Sequence, residues 1–186
     1  MLLIAGLGNP GVCYAGTRHN MGFRALAHLA ALWEIPVTRT GFSGRYGQGS
    51  VDGKRVMLLA PHMYMNDSGI SVAGAASYFG VEPADTLLLY DDIDLPCGAV
   101  RVRAQGGPGT HNGMRSVVGH LGTENFPRVR MGVGAPPDGI SLADWVLGRP
   151  DAGEDALLEA ASRRAAEAAD AWVRRGIDAA MNEYNR

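Results

Sequence analysis

Apolar positions along this 186-residue chain fall into short unbroken runs that alternate with stretches of helical spacing. Residues 2–5 form an apolar run closed by Gly6, the pattern of a buried strand. Phe23, Leu26, Ala27, Ala30 and Trp33 recur every three or four residues, predicting a helix over 21–33 with Asn20 as its cap. Segments 45–50 and 55–60 flank Val51-Asp52-Gly53-Lys54, whose Asp-Gly pair marks a hairpin turn. A second helix is expected from Asp67 or Ser68 to Phe79, closed by Gly80. Residues 86–90 are another apolar run, ending in Asp91-Asp92. Residues 100–103 and 128–133 alternate as strands, and a short helix fits 112–121 behind the flexible loop 106–109.

From Asp151 the chain becomes rich in Ala, Glu and Arg. Leu157, Ala161, Ala165, Ala168 and Trp172 form one apolar stripe, predicting a packing helix that Gly176 ends. No repeat, low-complexity tract or linker interrupts residues 1–186. Strands alternating with helices imply an α/β fold: a single three-layer domain, with a mostly parallel mixed sheet and helices on both faces. Sites in such folds gather beyond the carboxyl ends of the strands.

Composition narrows the class. Hydrophobic residues at 46% and charged residues at 19% exclude a disordered chain. Two cysteines, Cys13 and Cys97, are too few for a disulfide scaffold or a Cys-rich zinc site. The apolar opening lacks a basic leader and reaches Gly8-Asn9-Pro10 too early for a signal peptide, so a soluble cytoplasmic protein is expected. The net charge of −2 conceals unlike blocks. Residues 61–100 hold six acids and no Lys or Arg, whereas 101–135 hold five arginines and one acid. A basic face suited to a polyanion is therefore compatible with near-neutrality.

Gly6-Leu7-Gly8-Asn9-Pro10-Gly11 matches the dinucleotide-binding fingerprint literally. Pro10, Gly11 and Gly16 keep the following chain irregular, however, and no acidic residue ends a second strand about 20 residues on. The same loop leads to His19, whose imidazole type suits a general base. Asp91 ends a buried run, while Asn66 and Asn112 stand at two further strand-to-helix junctions. No G-x-S-x-G elbow, H-E-x-x-H spacing or Walker loop is present. Asp91, Asp92 and Asp94 are a candidate magnesium cluster, for which turn formation is the simpler reading.

Together these stretches resemble the bacterial peptidyl-tRNA hydrolase family. The resemblance lies in GLGNPGVCYAGTRHNMG at 6–22, PHMYMNDSG at 61–69 and YDDIDLPCGAVRVRAQGGPGTHNGMRS at 90–116. FPRVRMGVG at 126–134 and WVLGRP at 145–150 match more weakly. It implies hydrolysis of the ester joining a peptide to the 3′-terminal ribose of tRNA, with neither metal nor other cofactor. His19 would be the general base and Asp91 would orient it. Asn9, Tyr14, Tyr64, Met65, Asn66 and Asn112 would bind the acceptor end of peptidyl-tRNA and its peptide. Arg103, Arg115 and Arg130 would contact phosphates, with Arg101 and Arg128 sharing their strand faces. A monomer is expected. The family pattern has glycine where Thr110 stands, and Pro108 stiffens a loop that would fold over substrate. The alternative reading, a non-catalytic RNA-binding homologue, gives no chemical reason for keeping His19, Asp91 and the three asparagines together.

Overall fold

In the computed structural model, which describes all 186 residues, the alternation becomes one seven-stranded mixed sheet with helices on both faces. The strands are β1 (Leu2–Gly6), β2 (Arg39–Gly41), β3 (Gly44–Val51), β4 (Lys54–Pro61), β5 (Thr86–Asp92), β6 (Val100–Arg103) and β7 (Arg128–Gly132). Their order is β2-β3-β4-β1-β5-β7-β6. The central strands β4, β1, β5 and β7 run parallel. Antiparallel β3 and β2 extend one edge and antiparallel β6 the other.

The central strands are apolar on both sides because both sides are covered. Ile4, Leu58, Leu87 and Leu89 face one core with α1 (Met21–Leu32), α5 (Ala152–Arg175) and α6 (Ile177–Tyr184). Leu3, Met57, Leu59 and Leu88 face the other with α2 (Ser68–Phe79) and α3 (Asn112–Leu121). Beyond β5 this second face passes from apolar to arginine side chains. There β7 and β6 pair Arg130 with Arg101 and Arg128 with Arg103, leaving an arginine-lined floor. A sixth helix, α4 (Leu142–Leu147), follows β7.

Ala161, Ala165, Ala168 and Trp172 of the expected stripe on α5 are buried, and Leu157 departs from it. Leu157 is 53% exposed, while Leu158 is buried in the core. The buried arc of α5 also takes in Leu158, Ala166, Ala169 and Val173, so it is broader than that stripe. Three short elements, β2, α4 and α6, carry too little periodicity to have been read from the sequence.

Candidate active site

Two glycines bring the site together. A Cβ on Gly6 would lie 2.3 Å from the Gly22 carbonyl oxygen, and one on Gly22 would lie 2.2 Å from the Leu7 nitrogen. Their absence lets the start of α1 press onto the ends of β1 and β5. The chain after β1 stays irregular until a 3₁₀ turn, Arg18–Asn20, so no helix begins inside the glycine loop. That turn sets His19 over the end of β5.

Asn20 does not cap α1 with its side chain. Its Oδ1 accepts the Asn9 backbone N–H (2.8 Å), and its Nδ2 donates to the Asn9 carbonyl (2.9 Å). The Asn9 side chain then accepts the Met65 N–H through Oδ1 at 2.8 Å, tying the loop after β1 to the one after β4. The Asn9 amino group makes no hydrogen bond within the protein, and Asn9 lines the cavity. Sequence reasoning assigned Asn20 only a capping role, since nothing in its spacing signals an amide pair.

Asp91 is 2% exposed and receives two imidazoles. His19 Nδ1 lies 2.9 and 3.1 Å from its two oxygens, and His111 Nε2 lies 3.0 Å from Oδ1. The Met114 N–H donates to His111 Nδ1, capping α3, so the His111 proton belongs on Nε2. His111 therefore donates to Asp91. Burial opposes ionisation of this carboxyl, but the two histidines and their N–H donors outweigh it and hold Asp91 well below the usual carboxylate range. With Nδ1 protonated towards Asp91, His19 keeps its Nε2 lone pair for the cavity. His111 had no assigned role in the sequence reading; its place before a helix hints at a cap, but not at a partner 20 residues away.

The cavity over this group measures about 790 Å³. Asn9, His19, Tyr64, Met65, Asn66, Asp91 and Asn112 all line it. Met65 is buried, whereas Asn66, Asn112 and Tyr64 are exposed. Tyr14 stands outside the lining and meets the Tyr64 ring edge-on at 6.4 Å, forming the rim. On the opposite side α4 contributes Leu142, Ala143, Val146 and Leu147.

Among the arginines, Arg103, Arg115, Arg128 and Arg130 line the cavity. Arg103 makes no ion pair, Arg115 donates to the Gly109 carbonyl (3.0 Å), and Arg130 pairs with Asp92 at 2.5 Å. Arg101 is half-buried and lies outside the lining. Arg128 departs from the expected phosphate-gripping face. It is 1% exposed and donates to the carbonyls of Gly107, Glu124 and Phe126, holding the loop after β6 in place. Its strand phase is right, but carbonyls crossing above β7 occupy its donors.

His19, Asp91 and His111 offer possible metal-ligand atoms within 4.8 Å of one another. Both ring nitrogens turned to the carboxylate act as N–H donors in the bonding described above, so the trio is built as a hydrogen-bonded relay. Asp92 is engaged separately, accepting from Arg130 and from the Asp94 backbone N–H.

A family model described as peptidyl-tRNA hydrolase matches residues 3–186. A peptidyl-tRNA hydrolase from Bacillus cytotoxicus is 43% identical over 185 residues, covering 100% of both chains. Another, from Chloroflexus aggregans, is 46% identical over 186 residues, covering 100% of this chain and 99% of that one. The crystal structure of peptidyl-tRNA hydrolase from Acinetobacter baumannii has a TM-score of 0.94 at 37% identity, covering 100% of this chain and 94% of that one. Futalosine hydrolase of Helicobacter pylori shares the fold alone, at 9% identity and a TM-score of 0.54 over 89% of this chain and 94% of that one. Matched along nearly its whole length, the chain belongs to the peptidyl-tRNA hydrolase family.

Proposed function

We propose that this chain hydrolyses the ester between a peptide, or an N-blocked aminoacyl group, and the 3′-terminal ribose of tRNA, returning prematurely released peptidyl-tRNA to use. The observation that carries the mechanism is His19, held through Nδ1 by a buried Asp91 with Nε2 left to the cavity. His19 Nε2 takes a proton from water as that water attacks the ester carbonyl. Asp91 stabilises the imidazolium that forms, and the proton then passes to the departing ribose oxygen. Asn112 or a neighbouring backbone amide supports the oxyanion, Asn66 binds beside the ester, and the free amino group of Asn9 meets the acyl group. Tyr14, Tyr64 and Met65 receive the 3′ end and the peptide. Arg103, Arg115 and Arg130 contact phosphates, which suits an enzyme accepting many tRNAs because phosphates carry no sequence information.

An ester needs no covalent nucleophile when a base and oxyanion donors are in place. General base catalysis supplies about 10²–10⁴-fold. The test is release of N-acetyl-amino acid from blocked aminoacyl-tRNA in EDTA, with wild type beside His19→Ala. Turnover by wild type that falls about 10²–10⁴-fold in the variant, with tRNA binding retained, supports the reading. Binding without turnover by wild type would leave the chain an RNA-binding homologue, and equal turnover by both would put another residue at the centre.

A further inference from the structure

Next to His19 stands a buried arginine that the reaction above does not use. Arg18 is 6% exposed, and its Nε has no partner. Its Nη2 meets Glu154 Oε2 at 2.6 Å, its Nη1 donates to the Trp145 carbonyl at 3.3 Å, and its guanidinium lies 3.6 Å from the centre of the Trp145 ring. The Arg18 backbone N–H donates to the Gly148 carbonyl at 3.1 Å. Trp145 is tied in turn by its indole N–H, which donates to the Gly134 carbonyl at 2.9 Å. Glu154 is fixed as the third residue of the α5 capping box with Asp151. The end of α4 and the start of α5 therefore meet on the guanidinium of a residue more than 120 positions earlier in the chain.

What this meeting holds is α4. Six residues are too few for a helix to stand by itself. One side of α4 turns Leu142, Ala143, Val146 and Leu147 into the cavity, and the other turns Trp145 to Arg18. An ion pair buried on its arginine side is weak evidence for stability, and in some proteins such pairs fix geometry instead. Stacking, pairing and donating at one point suits a planar guanidinium and not an ammonium.

We infer that Arg18 is a positioning residue: its clasp on Trp145 and Glu154 sets α4 as the apolar wall of the substrate cavity, and so governs substrate binding and not proton transfer. This rests on the ester-hydrolase reading. The experiment measures kcat and KM for N-acetyl-aminoacyl-tRNA, together with the pH dependence of kcat/KM, for wild type, Arg18→Lys, Trp145→Leu, Trp145→Phe and the Arg18→Lys/Trp145→Leu pair. Thermal unfolding accompanies each variant.

Arg18→Lys and Trp145→Leu are expected to raise KM about tenfold while kcat stays within about threefold and the pH profile keeps its shape. Trp145→Phe, which retains an aromatic face, should recover most of the loss. The double variant should be no worse than either single one, because both break the same clasp. Unchanged KM in folded Trp145→Leu would overturn the inference. So would a fall in kcat with a displaced pH profile, which would make Arg18 act on His19 directly. A wild type without turnover would instead remove the ester-hydrolase reading, and this inference with it.

Discussion

A carboxylate as buried as Asp91 stays ionised only because two N–H groups from separate imidazoles replace its water. Asp91→Asn keeps the shape but introduces an amino group opposite one of those donors, so an imidazole must adopt its other tautomer. The expected result is a fall in kcat of about 10²–10⁴-fold in the ester assay with KM little changed. The same residue sets an acid limit on stability. The carboxyl is lowered in the folded protein, so its stabilisation is full above the unfolded value of about 3.9 and is lost as pH falls below it. Denaturant titrations of wild type and Asp91→Asn should therefore differ most above about pH 4 and converge below it; a gap that widened on acidification would reverse the sign. Of this centre, Asp91 was legible as the end of an apolar run and His19 as a loop histidine just before a helix, and the family resemblance set them together. The contacts of His111 with Asp91 and of Asn20 with Asn9 were not, since both depend on how loops fold across one another.

At the scale of elements, the helices and central strands were legible where apolar spacing was long or unbroken. The stripe of α5 was legible at Ala161, Ala165, Ala168 and Trp172 but not at its start, because an alanine-rich helix gives a broad stripe that Leu157 and Leu158 fit about equally. Burial decides between them: Leu158 is 1% exposed and Leu157 53%. Leu158→Ala should cost about 2–5 kcal/mol in chemical denaturation, as cavity-forming changes do, and Leu157→Ala within about 1 kcal/mol. Equal losses would mean that the two sides of α5 are buried alike. The outer edge of β6 was equally silent in the sequence. There Asn185 takes the place of a strand, accepting the Val102 N–H through Oδ1 (2.7 Å) and donating to the Val102 carbonyl through Nδ2 (3.0 Å). An exposed edge invites pairing with another chain, and one side-chain amide from the end of the last helix blunts it.

Over the whole molecule, no helix is long and apolar enough to cross a membrane, and the net charge of −2 is distributed very unevenly. Most acids of the last fifty residues lie on α5 and α6. There Arg163, Arg174 and Arg175 are paired with Glu159, Asp170 and Glu183, which neutralises that face locally. The arginines of the cavity floor differ in kind. Arg128 is satisfied by carbonyls and Arg130 by Asp92, which leaves Arg103 as an exposed cation of β6 with no ion pair. A phosphate held there would release condensed counterions, so affinity for tRNA should fall as salt rises. Removing one such contact should make the plot of log K against log salt shallower by about 0.7–0.9. Arg103→Ala is therefore expected to weaken tRNA binding and flatten that slope by about one contact, with kcat unchanged. Arg163→Ala, on the paired face of α5, should leave the slope as it is. Binding isotherms for both variants across a range of salt concentrations decide the matter: an unchanged slope in Arg103→Ala would take the phosphate path off β6, and a flattened one in Arg163→Ala would carry it round to α5.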